Sequence, residues 1–532
     1  MKILILLLAV FLTLAENVSA QEAIETYFLP LAATVNTSKP RHLLSETETP
    51  MATNCRLENG IITGRNGITT VFDFAKDTTR TGQYALGFHK ANDDYAIIAA
   101  GKPSTWGDGG IYEWNLDTAN PVIREITAVS CTTKTWQFCN HYDDTVGQVT
   151  VMTNGVDDIK IYKHDEREID NLIPWGEPQT KAYYVASFYD ALYLANITML
   201  NDDATADPYA VVWSEINDAS DFSVTEYYQR RPEDGLPITC LKPYGDLLML
   251  GKGSRTTRNQ IWQIAAYSNF SRVTEKAGPS SNAGVVVADT FVFNDKGRIQ
   301  SIDGEWLSQP IHQRLSGTTV GGLSIAGEYS TADSRMTFSS GKTVFNYYPT
   351  YKTWEEYLYN KELQIYSVLT PGIPWESWIG PLKKHCLLSF REEDTISDNI
   401  FIYDNSKLCV SNHFSDDDES KIVARYETRT DACGSPSTAK RFQQIVLYGK
   451  YYKNYYYTDD NINTYTVYGS FTSTPDVPSW QKIGDVTLDS NGHGSIWLDK
   501  RGIWAAVAVE VKSKNPWRLE RIGVRYVGQT QR

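Results

Sequence analysis

From residue 30 onward, apolar and polar positions alternate with a period of two, and no window carries a long apolar stripe at helical spacing. This predicts strands over Ile61–Phe72, Tyr95–Ala100, Gly147–Thr153, Ile159–Lys163, Tyr183–Phe188 and Ala191–Ala195. It continues through Tyr209–Trp213, Leu247–Gly251, Gln260–Ala265, Gly284–Phe293 and Ile299–Ile302. Lys102–Gly110 (KPSTWGDGG), Thr153–Asp158 (TNGVDD) and Asn294–Gly297 (NDKG) supply the Asn, Asp and Gly that tight reversals require. A loose unit recurs, consisting of an apolar strand, a short turn, a second strand ending in an aromatic and a polar link; GQVTVMTNGVDDIKIYK and YYVASFYDALYLANI are examples. The repeat is one of shape rather than of letters, so it leaves the period open. The expected fold class is all-β, a β-propeller followed by a smaller β-sandwich-like domain.

The second domain is expected beyond an acidic link, Ser415–Ser420 (SDDDES), and a Gly/Pro/Ser/Thr-rich loop, Arg429–Lys440. Strands are predicted there over Phe442–Tyr457, Asn463–Thr472, Trp480–Leu488, Gly494–Leu498, Ile503–Lys512 and Leu519–Val527. The expected division is therefore a signal-like segment at 1–20, a propeller at 21–414, a loop region at 415–440 and a sandwich at 441–532.

Composition supports a folded, strand-rich chain: 41% of the 532 residues are hydrophobic and 12% aromatic, with 33 Tyr. A formal net charge of -14 opposes tight binding to a phosphate backbone, which rests on Lys and Arg displacing counterions. Ile3–Leu14 is an apolar run that follows Lys2 and precedes Val18-Ser19-Ala20, the layout of a cleaved secretory signal and too short for a stable membrane span. The seven cysteines, Cys55, Cys131, Cys139, Cys240, Cys386, Cys409 and Cys433, form no C-x-x-C pair and suggest no zinc site. Cys131 and Cys139 could face each other across a hairpin in an exported chain; free thiols are the other reading. Sequons begin at Asn17, Asn36, Asn196 and Asn269.

Several segments occur in an order that resembles the β-propeller proteins of tailed-phage tails and head-tail connectors. The first is Asn36–Ile68, with Asn36, Pro40, Glu46, Glu48, Pro50, Asn54, Gly60, Arg65 and Gly67 at the matching positions. Thr153–Tyr162 (TNGVDDIKIY), Pro208–Phe222 (PYAVVWSEINDASDF) and Asp234–Ser254 (DGLPITCLKPYGDLLMLGKGS) follow, then Gln260-Ile261-Trp262 and VADTFVFNDKGRIQSIDG. The resemblance runs from about residue 28 to residue 304 and implies that Asn36–Ile68 opens the propeller. It also implies a non-enzymatic virion protein that assembles with other tail or connector proteins, as a homo-oligomeric ring past which DNA slides without sticking.

Candidate chemistry is sparse. Ser490–Trp497 (SNGHGSIW) approaches the Ser-x-Asp-x-Gly-x-x-Trp turn of sialidase propellers but has Gly492 where Asp belongs, and reads as a hairpin turn. His89, His141 and His385 read as ordinary, partly buried histidines. Gly251-Lys252-Gly253-Ser254 lacks the spacing of a phosphate loop, and Asp202-Asp203 and Asp416–Asp418 lack the alternation of a calcium loop. Tyr451–Tyr457 (YYKNYYY) could present an aromatic contact face. No catalytic, cofactor or metal residue is therefore assigned. The alternative functional reading, motivated by the signal-like start and the aromatics, is a secreted β-propeller that binds or hydrolyses glycans.

Overall fold

The computed structural model describes residues 24–528 except 59, 66–67, 74–83, 93, 102–108, 116–121, 130–135, 175–179, 200–205, 223–226, 230–234, 254–258, 266–268, 319–324, 331–333, 341–342, 359–362, 370–386, 395–401, 412–415, 418–419, 453–462, 476 and 514–516. The signal-like segment, Cys131, Cys386, His385, Asp202-Asp203 and most of Tyr451–Tyr457 lie outside the described residues. The fold is all-β, and the one α-helix among the described residues is His312–Thr318. The chain forms two compact units, one of residues 66–420 and the other of 1–65 with 421–532.

The 66–420 unit is a series of small antiparallel sheets in chain order. The first comprises Tyr84–Lys90, Tyr95–Gly101, Gly109–Asn115 and Val122–Val129. The second comprises Gln137–Asp143, Gly147–Thr153, Lys160–Lys163 and Glu168–Asn171, and the third Lys181–Phe188, Ala191–Met199, Asp207–Trp213 and Tyr227–Gln229. The fourth is Ile238–Tyr244, Leu247–Lys252, Gln260–Ala265 and Asn269–Thr274; the fifth has three strands, Val285–Val287, Phe291–Asp295 and Arg298–Ser301. Ile325–Ser330, Arg335–Ser340, Thr343–Tyr348 and Thr353–Leu358 pair in sequence as the sixth. In the seventh, Leu363–Leu369, Leu387–Asp394 and Ile402–Ser411 are joined by Ile68–Asp73, from the start of the unit, antiparallel to Ile402–Ser411. The first strand of each sheet packs against the first strand of the next, and Leu363–Leu369 also lies against Tyr84–Lys90.

This stacking explains why second strands read as nearly continuous apolar runs: both of their faces are covered. Leu192 and Leu194 of the third sheet pack with Val149 and Val151 of the second. On the same strand, Tyr193 and Ala195 face the other way, toward Leu248, Leu250 and Trp262 of the fourth. Each such fully buried aliphatic side chain contributes about 1.5–3 kcal/mol relative to exposure.

In the other unit, one sheet contains His493–Gly502, Lys440–Gly449 and Arg518–Gly528, the last flanked by Glu25–Leu29 and Ile61–Gly64, with Cys55–Glu58 beyond. The other contains Gln481–Thr487, Thr464–Thr472, Trp504–Ser513, Ser420–Glu427 and Met51–Thr53. The sheets pack through Phe442 against Phe471, with ring centroids 4.8 Å apart.

Three expectations are corrected. Asn36–Arg65 does not open the first unit: its strands are built into the sheets of the C-terminal one by pairing with Arg518–Gly528 and Ser420–Glu427. The 415–440 region is not all loop, because Ser420–Glu427 alternates Ile422, Ala424 and Tyr426 inward and is an internal strand. The predicted strands Ile61–Phe72, Gly284–Phe293 and Phe442–Tyr457 were too long: the first is two strands in different units, the second a hairpin, and the third ends at Gly449.

Candidate functional site

Among the described residues of the 66–420 unit, polar side chains cluster on and behind the first strands of its sheets. His89 of the first sheet is half-buried; its Nε2 meets Asn140 Oδ1 at 2.9 Å, and its ring stacks on Phe138 with centroids 5.6 Å apart. Asn140, on the second sheet, donates to the Ala91 carbonyl and accepts from Thr150 Oγ1 at 2.7 Å, while Thr150 Oγ1 also meets His164 Nε2 at 2.9 Å. The result is a chain of hydrogen bonds between the two sheets. Burial pushes His89 down to about 4, against the hydrogen bond to Asn140, and lowers His164 in the same direction.

His141, two residues after Cys139, is buried and bonds Ser187 Oγ of the third sheet through Nδ1 at 2.9 Å. Its Nε2 has no hydrogen-bond partner, and burial holds the ring below the ordinary histidine range despite the carboxylates of Asp143, Asp190 and Asp218. A serine-histidine pair acts as a nucleophile when an acceptor orients the second ring nitrogen. The carboxylate beside it, Asp143, accepts instead from the backbone N–H groups of Thr145, Val146 and Ala219. The pair therefore joins two sheets.

The segment Trp213–Phe222 forms the same kind of tie. Ser214 Oγ accepts from Leu192 N, and Asp218 Oδ1 accepts from the N–H groups of Ser220 and Asp221. Asn217, at a φ of 55°, donates its N–H to the Asp190 carbonyl and accepts from Asp144 N. One loop thus grips the first hairpin of its own sheet and that of the preceding sheet. Between the first and second sheets, the buried Glu113 accepts from Tyr162 Oη at 2.6 Å and from Arg167, whose guanidinium sits 4.4 Å over Tyr95. Burial alone would raise Glu113, but the bonds from Arg167 and Tyr162 and the charge of Arg124 outweigh it and hold the carboxyl below its usual range.

The remaining sequence candidates are scattered. Gly251 and Lys252 belong to strand Leu247–Lys252, with the Lys252 ammonium buried 5.9 Å from the Tyr209 ring centroid; a strand end, not a phosphate loop, explains them. Asp416 and Asp417 form a two-residue strand, Asp417 opposite Ile68. In SNGHGSIW, Asp489 Oδ1 accepts from Asn491 N and His493 N, which makes this a capped hairpin turn. Gly492 stands there at a φ of 75°, and a Cβ would collide with the Gly449 carbonyl. Tyr451 and Tyr452 follow the end of a strand rather than continuing it. Cys55, Cys139, Cys240 and Cys433 are free thiols, and burial pushes Cys139, Cys240 and Cys433 up to about 12. Two sequons are occupied by structural amides: Asn36 donates to Glu48 and Asn196 to the Ile238 carbonyl.

Among the described residues, no three His, Cys, Asp or Glu side chains come together as a metal donor set, and no helix is long and apolar enough to cross a membrane. The sequence reading missed Glu113 and Ser187, which are single polar residues inside apolar strands. That interruption was their only signal. In comparisons with known proteins, no family model matches the chain and no curated protein matches it.

Proposed function

We propose that the chain is a non-enzymatic structural protein of a tailed-phage particle, a tail or head-tail connector component acting through assembly with its neighbours. In this reading residues 66–420 form a seven-bladed β-propeller in which each small sheet is a blade and Ile68–Asp73 closes the last one. The observation that carries it is the order of sheet contacts: first strand to first strand through seven sheets, with the seventh also against the first. Supporting it, two of the segments that resemble phage propeller proteins, TNGVDD and WSEINDASDF, lie at locking positions. Asn154 of TNGVDD caps its own turn through Val156 N and Asp157 N, and WSEINDASDF grips two hairpins. Such residues make a rigid spacer, and rigidity between neighbours is what a particle component needs. The acidic chain suits a part that DNA passes without sticking.

Mass spectrometry of purified particles tests the reading, with the chain expected at a fixed stoichiometry. Recovery from the culture medium, cleaved after Ala20 and free of particles, would favour a secreted glycan-directed protein instead. Small-angle scattering and electron microscopy of residues 66–420 within the full chain test the propeller by its disc and central axis.

A further inference from the structure

In the C-terminal unit, the sheet of Glu25–Leu29, Arg518–Gly528, Lys440–Gly449 and His493–Gly502 buries Ile445, Leu447, Ile522 and Val524 on one face. Its other face is made of three rows that run across the strands. Arg521, Tyr448 and His493 form the first; Phe28, Gly523, Val446 and Ser495 the second; Thr26, Arg525, Gln444 and Trp497 the third. The Phe28 and Tyr448 ring centroids are 5.8 Å apart and those of Tyr448 and His493 5.0 Å, while the Arg521 guanidinium lies 5.7 Å from the Phe28 centroid. Gly523 makes room for this, because the Phe28 ring lies over it and a Cβ there would stand 3.3 Å from Phe28 Cε1. In the third row Arg525 donates to Gln444 Oε1 at 2.9 Å, and Gln444 Nε2 donates to Ser495 Oγ at 2.8 Å. Trp497 ends that row at 70% exposure and Phe28 is 43% exposed, so large rings face solvent between polar groups that are already oriented.

Charge and size decide what fits. Among the described residues neither Arg521 nor Arg525 has a carboxylate partner, and two neighbouring carboxylates are taken, Asp499 by Arg441 and Glu520 by Arg518, each at 2.9 Å. The face is therefore cationic on a chain of net charge -14. Three strand spacings by four residue steps make it roughly 14 Å on a side, about a quarter of the area each partner buries in a stable protein–protein interface. A phosphate strand is held in proportion to the phosphates neutralised, and two arginines about 14 Å apart on an acidic chain neutralise too few.

We infer that this face binds an acidic polysaccharide. Pyranose C–H faces rest on the rings of Trp497, Tyr448 and Phe28, and uronate carboxylates accept from Arg521 and Arg525 in charge-assisted hydrogen bonds. Gln444 and Ser495 meet the sugar hydroxyls between them. The inference is independent of the particle reading and holds for a secreted protein equally.

The test titrates the full chain by calorimetry with hexasaccharides of galacturonate, mannuronate and hyaluronan. A neutral cellohexaose, a single-stranded DNA hexamer and a hexaglutamate peptide are the controls. Wild type is expected to bind at least one acidic saccharide saturably, and at least about tenfold more tightly than any control. Trp497→Ala is expected to weaken that binding at least about tenfold, with Tm unchanged because the ring stands in solvent, and Trp497→Phe to retain most of it. The double variant Arg521→Gln, Arg525→Gln should lose the preference for acidic over neutral saccharide. Absence of saturable binding to all three acidic saccharides overturns the inference. So does wild-type affinity in Trp497→Ala, an unchanged preference in the double variant, or tighter binding of the DNA or the peptide.

Discussion

Arg65 donates its Nε hydrogen to Asn54 Oδ1 at 2.9 Å and its backbone N–H to the Asn54 carbonyl at 3.1 Å. Asn54 sits at a φ of 58°, a conformation Asn tolerates better than other residues bearing a Cβ, and its Nδ2 reaches the Val423 carbonyl at 2.8 Å. This one amide joins the N-terminal strands to Ser420–Glu427. Asn54→Ala is expected to destabilise the C-terminal unit by about 2–4 kcal/mol, through two lost bonds and backbone strain. Asn54→Gly should lose less, because it keeps the backbone free. Urea midpoints of the three proteins check the order.

Glu113 predicts an acid-sensitive contact between the first two sheets. Its folded pKa lies below the unfolded one, so the stability it contributes is present above the ordinary glutamate range and disappears as pH falls through the folded value. Glu113→Gln should therefore cost about 2–4 kcal/mol at pH 7 and progressively less in acid. Urea unfolding of both proteins at neutral and acidic pH should show the midpoints converging; a constant gap contradicts the assignment.

Installing the residue that the sialidase-type turn calls for, Gly492→Asp, should damage the turn and not complete it. The φ of 75° and the approach of the Gly449 carbonyl leave no room for a Cβ. A loss of about 2 kcal/mol or more is expected in thermal unfolding, with Gly492→Ala losing a similar amount.

Strand content was legible in the chain because period-two alternation survives wherever a strand has two differing faces, as in Thr464–Thr472. The AIIAA run at Ala96–Ala100 is buried at every position, so within it the alternation fades and the strand was legible only from the recurring strand-and-turn pattern around it. What local pattern could not carry was partnership. Nothing near Ile61 or Ile68 says that Ile61–Gly64 pairs with Arg518–Gly528 while Ile68–Asp73 pairs with Ile402–Ser411. The polar ties were hidden for the same reason: His141 and Ser187 are each unremarkable in their own strand and meet only when two sheets pack.

The thiols offer a check on burial. Cys139, Cys240 and Cys433 are all pushed up to about 12, so the thiolate population at pH 8 is very small. Alkylation of these three residues in the folded protein should be slower than in urea by orders of magnitude, read by peptide mass spectrometry. Rapid labelling of Cys240 or Cys433 in the native state would contradict their packing.

Asp143 is the hub at which the second and third sheets lock. Its Oδ1 accepts from Thr145 N and Val146 N and closes its own hairpin, while its Oδ2 accepts from Ala219 N at 2.9 Å, across the sheet boundary. Asp143→Ala leaves the buried Ala219 N–H without that acceptor and opens the hairpin, at an expected cost of about 2–4 kcal/mol. Asp143→Asn can keep the hairpin bonds through its carbonyl oxygen, but it turns an NH2 toward the Ala219 N–H, so only the cross-sheet bond is lost. Hydrogen exchange separates the two variants: peptides spanning 214–222 should exchange faster in both, whereas those spanning 143–148 should accelerate only in Asp143→Ala. If 214–222 keeps its protection in Asp143→Asn, the loop is held by the bonds of Ser214 to Leu192 and of Asn217 to Asp190 and Asp144, and Asp143 serves only its own hairpin.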